Sequence, residues 1–260
     1  FSACLYAQML KVSGVDMVMT VHNHSVSAER LFSSIFGEDG FFNLTPVDLY
    51  SHYLLSENIQ QAVGKSRGIA LCAPDQGACS FLRRVYETVR KASAGLLLSP
   101  AIDMLLMSKT RSGERQVVIR PAEDSPLGED DIDGRDVIVF DDMVRTGHTI
   151  MECCRHLKKA GARTVVFVVT HFNSSAEVKE NLNDPAIDEI VTTNTLPCIL
   201  NRDMQGRLRK KMLVLKVEKW IAHFLCDRLC LPHTTCCPPP HYSIDISSKN
   251  PRGRERWENA

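Results

Sequence analysis

No excess of one charge sign marks this chain: 31 Lys+Arg balance 31 Asp+Glu in 260 residues, and the formal net charge is zero. That excludes a globally basic nucleic-acid binder and an acidic disordered protein, while leaving room for a local patch. Aromatics are sparse at 7%. No apolar run approaches the roughly 18–20 residues of a bilayer-spanning helix, so an integral helical membrane protein is excluded. No fixed-period repeat is visible, and no signal-peptide pattern either. The chain opens Phe1-Ser2-Ala3 instead of Met, so a lost N-terminus is expected.

What is present is an ordinary globular balance, 44% hydrophobic and 24% charged. Ten cysteines stand out. Cys72, Cys79, Cys153 and Cys154 lie in or beside apolar segments, where a free thiol behaves as a small hydrophobe. A chain of this size needs no staples. A reducing, cytoplasmic compartment is therefore expected.

Helical and strand-like patterns alternate along the chain. Helices are expected over 2–12, 47–58, 78–91, 149–160, 174–183 and 218–229. Strands are expected over 16–21, 68–73, within 94–107, and over 116–120, 136–140, 163–170, 189–193 and 211–217. Residues 25–45, with Gly37, Gly40 and several Phe, read as a loop or insertion. Beyond Cys230 the pattern dissolves into a segment rich in Pro, Ser and Arg, read as disordered. Strand, helix and strand over 136–170 make one βαβ unit, which implies an α/β fold with a parallel sheet.

The strongest chemical signal is VIVFDDMVRTGHT at 137–149. An apolar strand delivers Asp141 and Asp142 at its carboxyl end, and a short loop then opens a helix. Loop amides and a helix N-terminus offer donors to a phosphate. The two acids cannot serve that phosphate and suit sugar hydroxyls or a divalent cation. Together they describe a ribose-phosphate site. His22 and His24, at i and i+2 of an extended segment, are expected on one face. Asp75-Gln76-Gly77-Ala78 opens a helix after a strand, with small residues that let an anion approach the backbone. Taken alone, this is equally an ordinary strand-to-helix turn. Lys109 and Arg111 lie in the polar stretch SKTRSGER, which alone reads as a solvated charge run.

These motifs, in this order, resemble the ribose-phosphate pyrophosphokinase family, within the type I phosphoribosyltransferase folds. His22-Asn23-His24 resembles its metal segment, Pro46-Val47-Asp48-Leu49-Tyr50 its Pro-Val-Asp-x-Leu-Tyr element, and Ala73 to Ala78 its pyrophosphate loop. Lys109-Thr110-Arg111 resembles the Lys-x-Arg of its mobile catalytic loop, and Thr193-Asn194-Thr195-Leu196-Pro197 its Thr-Asn-Thr-Ile-Pro segment. The likeness covers roughly 2–229. It implies a three-layer parallel-sheet fold in tandem domains, the first incomplete. The remnant would be 1–60, the complete domain 61–232 and the disordered tail 233–260.

The implied reaction moves the β,γ-diphosphoryl group of Mg-ATP to the 1-hydroxyl of ribose 5-phosphate, giving phosphoribosyl pyrophosphate (PRPP) and AMP. By the same resemblance Lys109 and Arg111 are catalytic, and Asp141, Asp142, Arg145, Thr146, Gly147, His148 and Thr149 bind ribose 5-phosphate. Asp75, Gln76, Gly77 and Ala78 form the pyrophosphate loop. His22, His24, Asp48 and Asp75 hold Mg²⁺. A homo-oligomer or a hetero-oligomer with related subunits is implied, with neither nucleic acid nor membrane as partner.

Four departures from the family stand out: the missing first part, Arg145 and His148 in the loop, His22 in place of an acid, and Ser80 and Phe81 in place of basic residues. They support two alternatives: a weak or inactive regulatory subunit, and less strongly a PRPP-using phosphoribosyltransferase. Cys226, Cys230, His233, Cys236 and Cys237 have partly zinc-compatible spacing, but a core helix followed by a disordered tail is the preferred reading.

Overall fold

Short runs of β-branched and aliphatic residues supply the strands, and the helices between them are amphipathic. The computed structural model describes residues 2–56, 66–93, 101–112, 116–196, 206–231 and 241–245, without the side chains of 110–118 and 207. The chain divides into two compact units, Phe1–Pro46 and Val47–Ala260.

In the first unit, helices α1 (Ser2–Val12) and α2 (Val26–Phe36) accompany strands β1 (Val18–Val21) and β2 (Phe41–Leu44). The strands pair in parallel with Val18 opposite Phe41. Ala7, Phe36 and Phe41 form the core, with Leu10, Phe32 and Ile35 packed against them. Residues 25–45 are thus ordered, contrary to the expected loop. The Ser25 hydroxyl caps α2 by accepting the Ala28 N–H at 3.2 Å. Phe32, Ile35 and Phe36 fall at i, i+3 and i+4 on its inner face. Gly37, at φ +81°, ends the helix. Intervening serines and two glycines hid this periodicity in the sequence.

The second unit runs α3 (Val47–Leu54), β3 (Ile69–Ala73), a 3₁₀ turn (Gln76–Ala78), α4 (Cys79–Ser93), β4 (Ile102–Ser112) and β5 (Gln116–Pro121). It continues with β6 (Asp136–Val144), α5 (His148–Lys159), β7 (Thr164–Phe172), α6 (Ala176–Leu182) and β8 (Glu189–Thr193). A second 3₁₀ turn (Gly206–Lys210), β9 (Met212–Lys216), α7 (Glu218–Arg228) and β10 (Ser243–Ile244) complete it. Its described strands form one sheet in the order β10-β9-β8-β7-β6-β3-β4-β5. The six inner strands are parallel, while β5 and β10 run antiparallel at the edges.

Strict alternation sorts each inner strand between two cores. Val137 and Val139 join Phe167, Val169, Ile150, Cys153 and Leu157 on one face. Ile138 and Phe140 join Tyr50, Leu82, Val85 and Val168 on the other. The sheet therefore lies between α5 and α6 on one side and α3 and α4 on the other, the expected three layers. Helix α3, expected within the first 60 residues, clusters with the second unit because Tyr50 packs edge-on against Phe81 and Phe140 at 6.2 and 5.9 Å.

The segment expected to be disordered is ordered at 241–245. Tyr242 and Ile244 are 3% and 7% exposed. His241 stacks on His223 with ring centroids 4.3 Å apart, and Tyr242 meets His52 edge-on. The rest of the expected tail, with His233, Cys236 and Cys237, lies outside the described residues, as does Pro197. Cys226 lies within α7, whereas Cys230 falls beyond it at φ +52°.

Candidate functional site at the carboxyl edge of the sheet

From β3 the chain winds outward through α4 to β4, and from β6 it winds the other way through α5 to β7. Their carboxyl ends, adjacent in the sheet, therefore feed loops that leave on opposite faces. Such a switch point opens a crevice where ligands bind. The loop after β3 carries Asp75 and the loop after β6 follows Asp141 and Asp142.

Asp75 is the N-cap of the turn leading into α4. Its Oδ1 accepts the Gly77 N–H at 2.9 Å and the Ala78 N–H at 3.4 Å. The amides expected to face a pyrophosphate are thus already held by Asp75. Gln76 and Gly77 are exposed and Ala78 is buried. The Cys79 thiol donates to the Asp75 carbonyl at 3.4 Å, and burial raises its pKa above the ordinary thiol value.

Strand β6 continues to Val144, so Asp141 and Asp142 lie within it instead of just past its end. Both are half-buried. Asp141 is opposite Val169 and continues the face of Val137 and Val139, the side covered by α5. Its Oδ1 accepts the Asp142 N–H at 2.9 Å.

The loop that follows is short, with Arg145 and Thr146 exposed. Gly147 adopts φ +81° as the N-cap of α5. A Cβ there would meet Leu182 Cδ2 at 3.2 Å and Asn181 Cβ at 3.4 Å. Asn181 braces the same loop by donating from Nδ2 to the Thr146 carbonyl at 2.8 Å. No side chain caps α5 and no acid occupies its first turn. Its N-terminal donors and positive dipole end are therefore unspent by this helix's own side chains. His148 is exposed and Thr149 half-buried beside them.

Lys109 and Arg111 lie on β4, paired opposite Ile119 and Val117 of β5. Residues 108–112 of the stretch that alone reads as a solvated charge run are therefore a hairpin arm, paired in a ladder that needs no apolar alternation. Lys109 Nζ donates to Thr149 Oγ1 at 3.1 Å, which brings the hairpin to the loop after β6. The Arg111 side chain lies outside the described residues.

Sequence reasoning gave no role to His171. The register places it opposite Met143, beside the two acids. Its Nδ1 is 2.9 Å from Thr195 Oγ1. Thr195 and Thr193 donate to the Thr170 carbonyl at 3.0 and 2.7 Å, and Tyr50 Oη lies 3.0 Å from Thr170 Oγ1. This network ties β7, β8 and α3 together behind the crevice. Burial pushes the Tyr50 hydroxyl pKa up, and the Thr170 hydrogen bond offsets only part of that rise. A histidine ending an apolar strand carried no motif signal that could have marked it.

The expected metal donors divide between the two units, His22 and His24 in the first and Asp48 and Asp75 in the second. His22 is buried at φ +45° and His24 is exposed, so the two do not share a face. The strand ends at Val21, and the left-handed turn at His22 breaks the alternation. Asp48 is exposed on α3. Among the described residues, no three His, Cys, Asp or Glu side chains gather into a metal-holding group.

Residues 107–223 match a family described as the phosphoribosyl synthetase-associated domain. The ribose-phosphate pyrophosphokinase of Corynebacterium glutamicum is 30% identical over 197 residues, covering 75% of this chain and 53% of that protein. The enzyme of Corynebacterium efficiens is 31% identical over the same length, covering 75% and 53%. The crystal structure of phosphoribosylpyrophosphate synthetase from Mycobacterium smegmatis superposes with a TM-score of 0.62 at 25% identity, covering 86% of this chain and 62% of that one. The chain thus spans about half the length of the curated relatives it matches.

Proposed function

We propose that this chain is a member of the ribose-phosphate pyrophosphokinase family and makes PRPP and AMP from ATP and ribose 5-phosphate, a reading supported by its likeness to the Corynebacterium enzymes and the Mycobacterium smegmatis synthetase. In that reaction the sugar's 1-hydroxyl oxygen bonds to the β-phosphorus of ATP. The bond from that phosphorus to the α,β-bridging oxygen breaks, AMP departs with the oxygen, and the hydroxyl proton is lost. The observation that carries this reading is the pairing of Asp141-Asp142 with the open N-terminus of α5 at one switch point. The acids accept from sugar hydroxyls, and the loop 145–149 donates to the 5-phosphate. By likeness to the family, Arg111, further out on the hairpin opposite Val117, supplies positive charge to a diphosphoryl group in flight.

Magnesium, when bound, would offset phosphate charge. A full protein cage is not required, because Mg²⁺ is commonly held by one or two carboxylates plus substrate phosphates. Asp75 fits that part, since a single oxygen, Oδ1, serves the cap. Buried His22 fits it poorly. By likeness to the family, the first unit is the remnant of an N-terminal domain, and the chain works in an oligomer.

The test is AMP production from Mg-ATP with and without ribose 5-phosphate. Sugar-dependent AMP is expected, and its absence would overturn the assignment. A second reading is a weak or inactive subunit associated with a synthetase. It is favoured by the Asp75 carboxylate occupying the amides of Gly77 and Ala78.

A further inference from the structure

Two histidines meet at the β10 edge of the sheet. His223 of α7 and His241, two residues ahead of β10, stack with ring centroids 4.3 Å apart and planes 21° from parallel. The Nδ1 atom of each ring is buried. One turn along α7, Asp227 Oδ2 lies 3.5 Å from His223 Nε2. What His241 helps to hold is short. Strand β10 pairs through two residues, Ser243 with Lys216 and Ile244 with Leu215, and the Asp245 N–H donates to the Val214 carbonyl at 2.9 Å. Tyr242 and Ile244 are buried, Tyr242 with its ring 6.0 Å from that of His52. A ladder of that length is marginal by itself, so the side-chain anchors decide whether it stays.

We infer that the His223–His241 stack is an acid-sensitive latch that holds residues 241–245 on the edge of β9. Uncharged, the two rings attract as an aromatic pair. One proton is accommodated, because an imidazolium at His223 faces the Asp227 carboxylate. A second proton sets two cations face to face with one carboxylate in contact. The other charged groups on the surrounding elements do not relieve this. On α7, Lys219 lies one turn before His223 and Arg228 follows Asp227. On β9, Lys216 is 4.0 Å from Glu218, whose carboxylate also accepts from the Asn194 amide at 2.8 Å. His52 of α3, across Tyr242, adds a third imidazole and so further positive charge in acid. Asp245 lies past the far end of β10. In mild acid residues 241–245 therefore leave β9, and the bared edge becomes a template for another chain. The latch is independent of the reaction carried out in the crevice.

The test is hydrogen–deuterium exchange of the full chain at about pH 7.5 and about pH 5.5, read by mass spectrometry and corrected for the intrinsic rate. Protection across 241–245 should fall at least about tenfold at the lower pH, while β6 keeps its own. His241→Phe retains an aromatic ring in the stack and takes up no proton, so its protection should be equal at the two pH values. His223→Phe should behave likewise, and circular dichroism checks that each variant is folded. Asp227→Asn should move the loss to higher pH. Wild-type protection that does not change with pH overturns the latch. A loss that persists in both phenylalanine variants overturns it too. So does a loss that spreads equally into β6, since that is acid unfolding of the whole unit.

Discussion

At the scale of single residues, Gly147 is where local geometry and chemistry meet most tightly. Its φ of +81° lies in the left-handed region, and its Cα faces the Leu182 side chain. Alanine there costs roughly 1–2 kcal/mol for the backbone alone. The contact at 3.2 Å adds to that by pushing the loop off α6. Gly147→Ala should therefore lower the urea midpoint and weaken ribose 5-phosphate binding together. A variant that loses stability while keeping full affinity would show that the loop's exact path does not matter to the phosphate. Neighbouring His148, the first residue of α5, is exposed.

Among the elements, the turn into α4 separates a structural role from a chemical one. Asp75 Oδ1 holds two N–H groups that the helix start would otherwise leave unpaired. Asp75→Ala should cost about 1 kcal/mol of stability, the usual worth of a cap, whereas Asp75→Asn keeps a capping oxygen and should cost only a fraction of that. If AMP formation falls equally in both, the lost group is a carboxylate charge near the phosphates. If it falls only in Asp75→Ala, the residue serves the fold alone.

Much of this level was legible in the sequence. The strand and helix of 136–160 announced themselves because the strand is apolar on both faces and the helix on one. Two kinds of element escaped. Helix α2 did, because serines dilute its inner face. The outer part of β4 did too, because a hairpin arm beyond the core needs only backbone pairing and so carries no hydrophobic signature. Asp141 and Asp142 stood out as candidates for the same reason that His171 did not: paired acids at a strand end form a pattern, and one histidine does not.

For the whole molecule, the buried titratable groups set how stability responds to alkali. Burial raises the pKa of Cys72 and Cys154 well above 9.0, and a hydrogen bond with Cys153 adds to the rise at Cys72. Tyr50 is raised as well. In the native state these groups keep their protons when those of the unfolded chain have gone. Their contribution is therefore complete below the unfolded values and is lost as pH climbs toward the native ones. Lys211 acts oppositely: burial lowers its pKa from 10.5, so its share improves as pH rises. With Cys79, whose pKa burial also raises, four groups stand against one among the described residues, which predicts a lower urea midpoint at about pH 10 than at about pH 7.5. An equal or higher midpoint would mean that the thiols and the phenol are reached by water.

The strand added by 243–244 also gives the sheet a timetable. Ser243 and Ile244 cover Lys216 and Leu215, so the open edge of β9 is sealed by residues made well after it. At about 5–20 residues per second of synthesis, β9 exists for some seconds as a bare parallel edge before its cover is available. An edge in that condition is a template for other chains. Whatever occupies β9 during that interval, a chaperone or a neighbouring nascent chain, competes with β10, and the outcome is decided by time rather than by stability.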